Sequence, residues 1–321
     1  MKKFISLVLA LTMAVAVSGC GSKGEETPQT ENTNEDAIQI GIVQIVQHPS
    51  LDTIRTSIVE RLEETLEVPF EIDYKNANND QSNLNSITQK FVGDEKDLII
   101  AIATPSAQSA MAQTSDIPIV FSAVTSPEAA GIEGDNITGT SDRIPVEEIF
   151  TLAKQLTPNM KKVGFVYNSG EANSLAVIEE AKAYLTSQGI EFDEATITNT
   201  SELQQTAQSL AEKCDALFSP IDNTVASAMA VLADIAIEMK KPIYVGADSM
   251  VADGGLATVG IDYTVLGKET ADIAVEVING KSPSEIPYRV LEDFAVVINK
   301  ETAEKIGVTV SQELLDKATL I

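Results

Sequence analysis

The 321-residue chain has no tryptophan, one histidine (His48) and two cysteines, Cys20 and Cys214. So few imidazoles and thiols exclude a zinc site built from His and Cys. They also exclude the small secreted scaffolds that depend on several disulfides. Basic residues are scarce as well: 22 Lys and Arg face 48 Asp and Glu, for a formal net charge of −26. That balance argues against nucleic acid and against electrostatic docking on anionic lipid, both of which need clustered positive charge. There is no P-loop, no G-x-S-x-G, and no G-x-G-x-x-G after the first strand-like run. Phosphate-cradling loops and serine-nucleophile elbows are therefore missing. A carboxylate pair is the remaining route to catalysis, and Asp222 and Asp248 follow separate strand-like runs. Neutralising the charge of a ligand is the simpler role for them.

The N-terminus is unlike the rest. Lys2 and Lys3 precede the apolar run "FISLVLALTMAVAV", which ends in "VSGC". A basic start, a short apolar stretch and small residues before a cut describe a secretory signal. Val17-Ser18-Gly19-Cys20 resembles a bacterial lipobox, so residues 1–19 are expected to be removed and Cys20 to carry lipid, palmitate among its acyl chains. Gly21 to Ala37 is polar, acidic and without large apolar residues. It reads as a flexible tether over residues 20–37. Cys214 is then the only cysteine of the fold and has no partner for a disulfide.

From Ile38 onward, apolar runs alternate with amphipathic patterns. The runs are "IQIGIVQIV", "DLIIAIA", "IPIVFSA", "KVGFVYN", "DALFSP" and "KPIYVGA", with weaker strands in "PFEIDY", "EFDEATI" and "LATVGID". Strands without polar alternation, separated by helices such as Leu51 to Leu66, predict a doubly wound α/β fold with parallel sheets. The series restarts after "NITGTSDRIP". "IPIVFSAVTSPEAAGI" (117–132) lies on "KPIYVGADSMVADGGL" (241–256) without a gap, and Ser-Ala-Met-Ala recurs at 109–112 and 227–230. A duplication, two lobes and a cleft between them follow.

Ligands of open α/β sheets bind beyond the carboxyl ends of the strands, and there the turns are densely polar. They are "QIVQHPSLD", "ATPSAQ", "AVTSPEA", "YNSGEANS", "PIDNT" and "GADSM". Capping of helix starts would account for Ser106, Thr224 and Ser174 one at a time. It does not explain why every turn is polar or why two contain an aspartate. A ligand carboxylate suits the helix start at Thr104-Pro105-Ser106, and Asp248 or Asp222 would take an ammonium. An amino acid held by its zwitterion satisfies both. His48 is either a ligand contact or a residue of the rim.

"QHPSLD", "ATPSAQSAM", "AVTSPEAAGI", "NITGTSDR", "YNSGEANS", "PIDNT" and "LGKETADIA…ING" together resemble the ABC-transporter solute-binding proteins of the tryptophan/tyrosine-binding type, from about Ile38 to Leu315. The resemblance implies the two-lobed, type I periplasmic-binding-protein-like fold, with crossovers near Ser141-Asp142, Asp262 and Val290. Lobe 1 would be 38–141 plus 262–289, and lobe 2 142–261 plus 290–321. It implies an extracytoplasmic, lipid-anchored, monomeric binder without enzymatic activity or cofactor, serving a permease and its ATPase. The solute would be an aromatic amino acid such as tryptophan. Thr104, Ser106 and Thr125 are assigned to the ligand carboxylate, and Asp248, then Asp222, to its ammonium. Gln44, His48, Asp142, Asn168, Glu171, Asn173, Ser174 and Asn223 would complete the site, with Ser174 or Asn173 capping the helix that follows "YNSGEANS". A sensor subunit for a receptor, and a binder of a non-aromatic amino acid or another small solute, are the alternatives.

Overall fold

The computed structural model describes residues 37–321. The expected leader, the lipid site Cys20 and the tether up to Asp36 lie outside the described residues. The chain runs β1 (Ile38–Gln44), α1 (Pro49–Thr65), β2 (Phe70–Asn76), α2 (Gln81–Gly93), β3 (Leu98–Ile102), α3 (Thr104–Gln113), β4 (Ile119–Ser122) and β5 (Ile137–Ser141). A second series follows: α4 (Val146–Leu156), β6 (Lys162–Asn168), α5 (Ala172–Ser187), β7 (Glu191–Ile197), α6 (Leu203–Ala211), β8 (Ala216–Ser219), α7 (Asn223–Ala226), α8 (Met229–Met239), β9 (Ile243–Val245), α9 (Asp248–Ala252) and β10 (Ala257–Gly260). The end of the chain contributes α10 (Tyr263–Ile278), β11 (Arg289–Val290), β12 (Ala295–Ile298), α11 (Lys300–Ile306), α12 (Gln312–Lys317) and β13 (Thr319–Leu320).

These strands form two sheets. One has six strands in the order β11-β5-β4-β3-β1-β2, the other seven in the order β13-β12-β10-β9-β8-β6-β7. Pairing is parallel throughout except for β12 against β10. The two doubly wound lobes predicted from the alternating pattern are thus present. Every residue of β3 and β4 is buried, as expected for strands covered by helices on both faces. On α1, Ile54, Ile58 and Leu62 recur at helical spacing and are fully buried against the sheet. The chain passes between sheets after Ser141, after Gly260 and after Val290. The second passage returns α10 to the first lobe, where it packs on α1. Gly267 permits the close approach: a Cβ there would lie 2.7 Å from the Ile54 carbonyl oxygen.

Strand β5 and the short strands near the C-terminus were not expected. β5 reads "ITGTS", without an apolar run. It is buried because α10 covers it, with Thr140 Oγ1 2.8 Å from Thr270 Oγ1. The proposed duplication holds at the level of element order and loosens in detail. The first Ser-Ala-Met-Ala ends α3, whereas the second straddles the break between α7 and α8. Ala123, aligned with Ala247, has φ +56°, and Ala103 has φ +77°, while Ala247 is ordinary extended backbone. Both positive-φ alanines end strands of the first lobe at the cleft. Non-glycine residues held in such conformations concentrate at ligand sites.

Candidate ligand-binding cleft

The carboxyl ends of the two sheets face one another across a closed cleft. The first lobe contributes His48, Ser50, Leu51, Ala123 and Thr125, and the passages between lobes contribute Asp142 and Tyr263. The second lobe contributes Asn173, Ile221, Asp222, Asn223, Ala226, Ala247 and Met250. The enclosed space is about 20 Å³, enough for a water molecule. Three polar contacts close the mouth: Ser50 Oγ lies 2.6 Å from Ser249 Oγ, Asn79 Nδ2 donates to Thr224 Oγ1 at 3.0 Å, and His48 Nε2 lies 3.3 Å from Asn223 Oδ1.

Two buried carboxylates build the second lobe's wall. Glu171 stands at the N-cap position of α5 yet makes no side-chain cap there. Its carboxylate instead accepts from the backbone N–H groups of Asn223 and Thr224 at 2.9 and 3.0 Å. It also accepts from Asn223 Nδ2 at 2.6 Å, Thr224 Oγ1 at 2.8 Å and Asn173 Nδ2 at 3.2 Å. It thereby holds the start of α7, a helix too short to organise itself. Asp222 caps the same helix through Val225 N–H at 2.8 Å, and accepts from Asn168 N–H at 2.6 Å and Ser174 Oγ at 2.7 Å. Burial, then the neighbouring Glu171 carboxylate, raises the Asp222 pKa. "YNSGEANS" is polar because it is the socket for the following βα turn: Ser174 and Asn168 hold Asp222 and Thr224.

The remaining polar groups of the cleft are incompletely paired. Asp142 is buried and accepts one hydrogen bond, from Thr125 Oγ1 at 2.8 Å. Burial pushes its pKa up to about 6. The Tyr263 hydroxyl, Asn173 Oδ1 and His48 Nδ1 are buried with no partner, as are the Thr104 and Ser106 hydroxyls at the start of α3. Buried polar atoms are nearly always hydrogen-bonded, so a cluster of unpaired ones marks where a ligand would supply the partners. No charged base lines the cavity, leaving Asp142 without a counter-ion. No group of His, Cys, Asp and Glu among the described residues could hold a metal ion.

Against the expected site, His48, Thr125, Asp142, Asn173, Asp222 and Asn223 line the cavity. Thr104 and Ser106 are buried but are not among its lining residues. Neither hydroxyl caps α3, so the capping explanation fails for both. Thr125 gives its proton to Asp142 rather than standing free for a carboxylate. Glu171, Asn168 and Ser174 are engaged in the socket, and neither Ser174 nor Asn173 caps α5. Gln44 is consumed by Val46 O and Asp52 at 2.8 and 3.0 Å. Asp248 lies outside the cavity lining, bonded to its neighbour's backbone N–H at 2.7 Å, so it is poorly placed for an ammonium. Phe121, Tyr167 and Tyr244 are core residues. Tyr263, Ser50 and Met250 were missed; a tyrosine just past a strand that returns to the other lobe was the available signal.

Similarity to known proteins agrees with this geometry. The chain is 38% identical over 314 residues to a tyrosine-binding protein of Clostridioides difficile, spanning 94% of this chain and 91% of the relative. An ABC domain from Streptococcus pneumonia in complex with L-Trp superposes with a TM-score of 0.85 at 37% identity, over 88% of this chain and 99% of the other. A ligand-free, open substrate-binding protein with adhesive properties from Clostridium difficile, also 37% identical, gives 0.67 over 89% of this chain and 99% of the other. Among the described residues, no helix is long and apolar enough to cross a membrane. The model for ABC transporter substrate binding proteins matches residues 39–321, and the chain belongs to that family: an extracytoplasmic binder that passes its solute to a transporter and does not convert it.

Proposed function

We propose that the protein captures an aromatic amino acid for an ABC importer and is held at the membrane by lipid on Cys20. The observation that carries this reading is Asp142, a buried carboxylate without a counter-ion beside unpaired acceptors and hydroxyls in a cleft between two lobes. A ligand ammonium supplies the missing charge. The ammonium therefore goes to Asp142, with Asn173 Oδ1 as a second acceptor, in place of Asp248. The ligand carboxylate goes to the start of α3, where the helix dipole and the hydroxyls of Thr104 and Ser106 favour an anion. The family relatives that bind tyrosine and tryptophan support an aromatic side chain. Residues 38–141 with 262–289, and 142–261 with 290–321, would hinge as two bodies, and ligand would stabilise the closed form by touching both. The monomer serves a permease and its ATPase.

The test is a thermal-shift screen of the twenty amino acids on protein stripped by unfolding and refolding. A ligand at 100 times its dissociation constant adds about 2.7 kcal/mol of stability. A shift confined to Trp, Tyr or Phe supports the reading; no shift with any of them removes the aromatic amino acid.

A further inference from the structure

His48 belongs to the first lobe, yet its protonation pattern is set by the second. Asn223 Nδ2 donates to the Glu171 carboxylate at 2.6 Å. That fixes the orientation of the amide and turns Asn223 Oδ1, an acceptor, toward His48 Nε2 at 3.3 Å. Nε2 must then carry the ring proton. Burial lowers the His48 pKa and outweighs the opposing influence of the Asn223 hydrogen bond and of Glu171, Asp52 and Asp253. The ring is thus neutral, and its Nδ1 is a lone-pair acceptor, buried and unpartnered, on a residue that lines the cavity.

We propose that Glu171 and Asn223 lock His48 as the Nε2–H tautomer on lobe closure, making Nδ1 the acceptor for an N–H or O–H group on the ligand's aromatic side chain. This rests on the amino-acid reading above and deepens it: the site selects tryptophan or tyrosine over phenylalanine by a polar tip, not by size alone. Glu171 acts through Asn223 and is a positioning residue. A ligand lacking the donor leaves Nδ1 buried and unpaired, which lowers affinity by about tenfold or more.

Because the chain has one histidine, ¹⁵N-histidine labelling reports on this ring alone. In protein saturated with tryptophan or tyrosine, the spectrum should show a neutral Nε2–H ring with Nδ1 accepting a hydrogen bond. In Glu171→Gln, with far-UV dichroism unchanged, the single tautomer should give way to a mixture. In parallel, affinity should fall about tenfold from tryptophan to 3-benzothienylalanine, whose sulfur replaces the indole N–H, and from tyrosine to phenylalanine. His48→Phe should erase both differences. An Nδ1–H or protonated ring in the bound protein, or equal affinities within each pair, overturns the inference while leaving amino-acid binding intact. Binding of none of these ligands overturns the functional reading itself.

Discussion

Asp142→Asn is expected to make the protein more stable and a worse binder at the same time. Burial raises the Asp142 pKa from 3.8 to about 6. The folded state thus holds this proton more tightly than the unfolded state does. Its contribution is neutral below the unfolded value. As pH rises through about 4 to 6 the folded state loses stability, because a carboxylate must ionise in a buried site. A difference of just over two pH units amounts to about 3 kcal/mol once both states are ionised. Asparagine keeps an acceptor for Thr125 Oγ1 and never ionises. Ligand-free Asp142→Asn should therefore gain up to about 3 kcal/mol over wild type at pH 8 and well under 1 kcal/mol at pH 4, read from urea unfolding at both. Binding should move oppositely. Losing a charge-assisted hydrogen bond to the ammonium costs about 1.5–3 kcal/mol, or roughly 10- to 150-fold in affinity. Calorimetric titration with tryptophan or tyrosine measures it, and tryptophan emission belongs wholly to the ligand in this chain. A variant that binds as wild type does would sink the ammonium assignment. A variant no more stable at pH 8 than wild type would sink the account of burial.

Wild-type affinity should fall about tenfold per pH unit below about 6, as the Asp142 proton must leave before the ammonium binds; a flat profile from pH 7 to 5 contradicts this. Asp248→Asn, outside the cavity lining, should leave affinity within about twofold of wild type, since surface-type changes usually stay within ±0.5 kcal/mol. Glu171→Ala strands four buried donors, the backbone and side-chain groups of Asn223 and Thr224, and should cost about 3 kcal/mol or more in chemical unfolding. Asn79→Ala removes a contact made only across the closed mouth. It should weaken binding by about 0.5–1.5 kcal/mol, mainly through a faster off-rate in stopped flow. Ala103→Gly relieves a φ of +77° and should raise thermal stability by about 1 kcal/mol, the strain relieved exceeding the entropy that glycine adds.

The alternation of unbroken apolar runs with helical patterns was enough to determine two parallel-sheet lobes. A strand buried on both faces cannot alternate in polarity, and that signal is local. The polar βα turns, from "QHPSLD" to "GADSM", likewise announced the cleft, because nothing in a helix start requires so many hydrogen-bonding side chains. Sequence could not tell which of them face the ligand. Thr125, Glu171, Ser174 and Asp222 are equally polar as letters, but their hydrogen-bonding capacity is taken up, wholly or largely, by partners 17 to 54 residues away in the chain. Asp142, Asn173, Tyr263 and His48 are left with unsatisfied capacity for the same non-local reason. Asp142, and not Asp248, reaches the cavity lining, because charge alone does not place a carboxylate. The passage between lobes does, and only the packing of α10 back onto α1 brings Tyr263 and Asp142 to the same wall. Composition and periodicity therefore determined the scaffold and the location of the cleft. The tertiary structure decided which atoms in it remain unpaired, since that depends on partners far away in the chain.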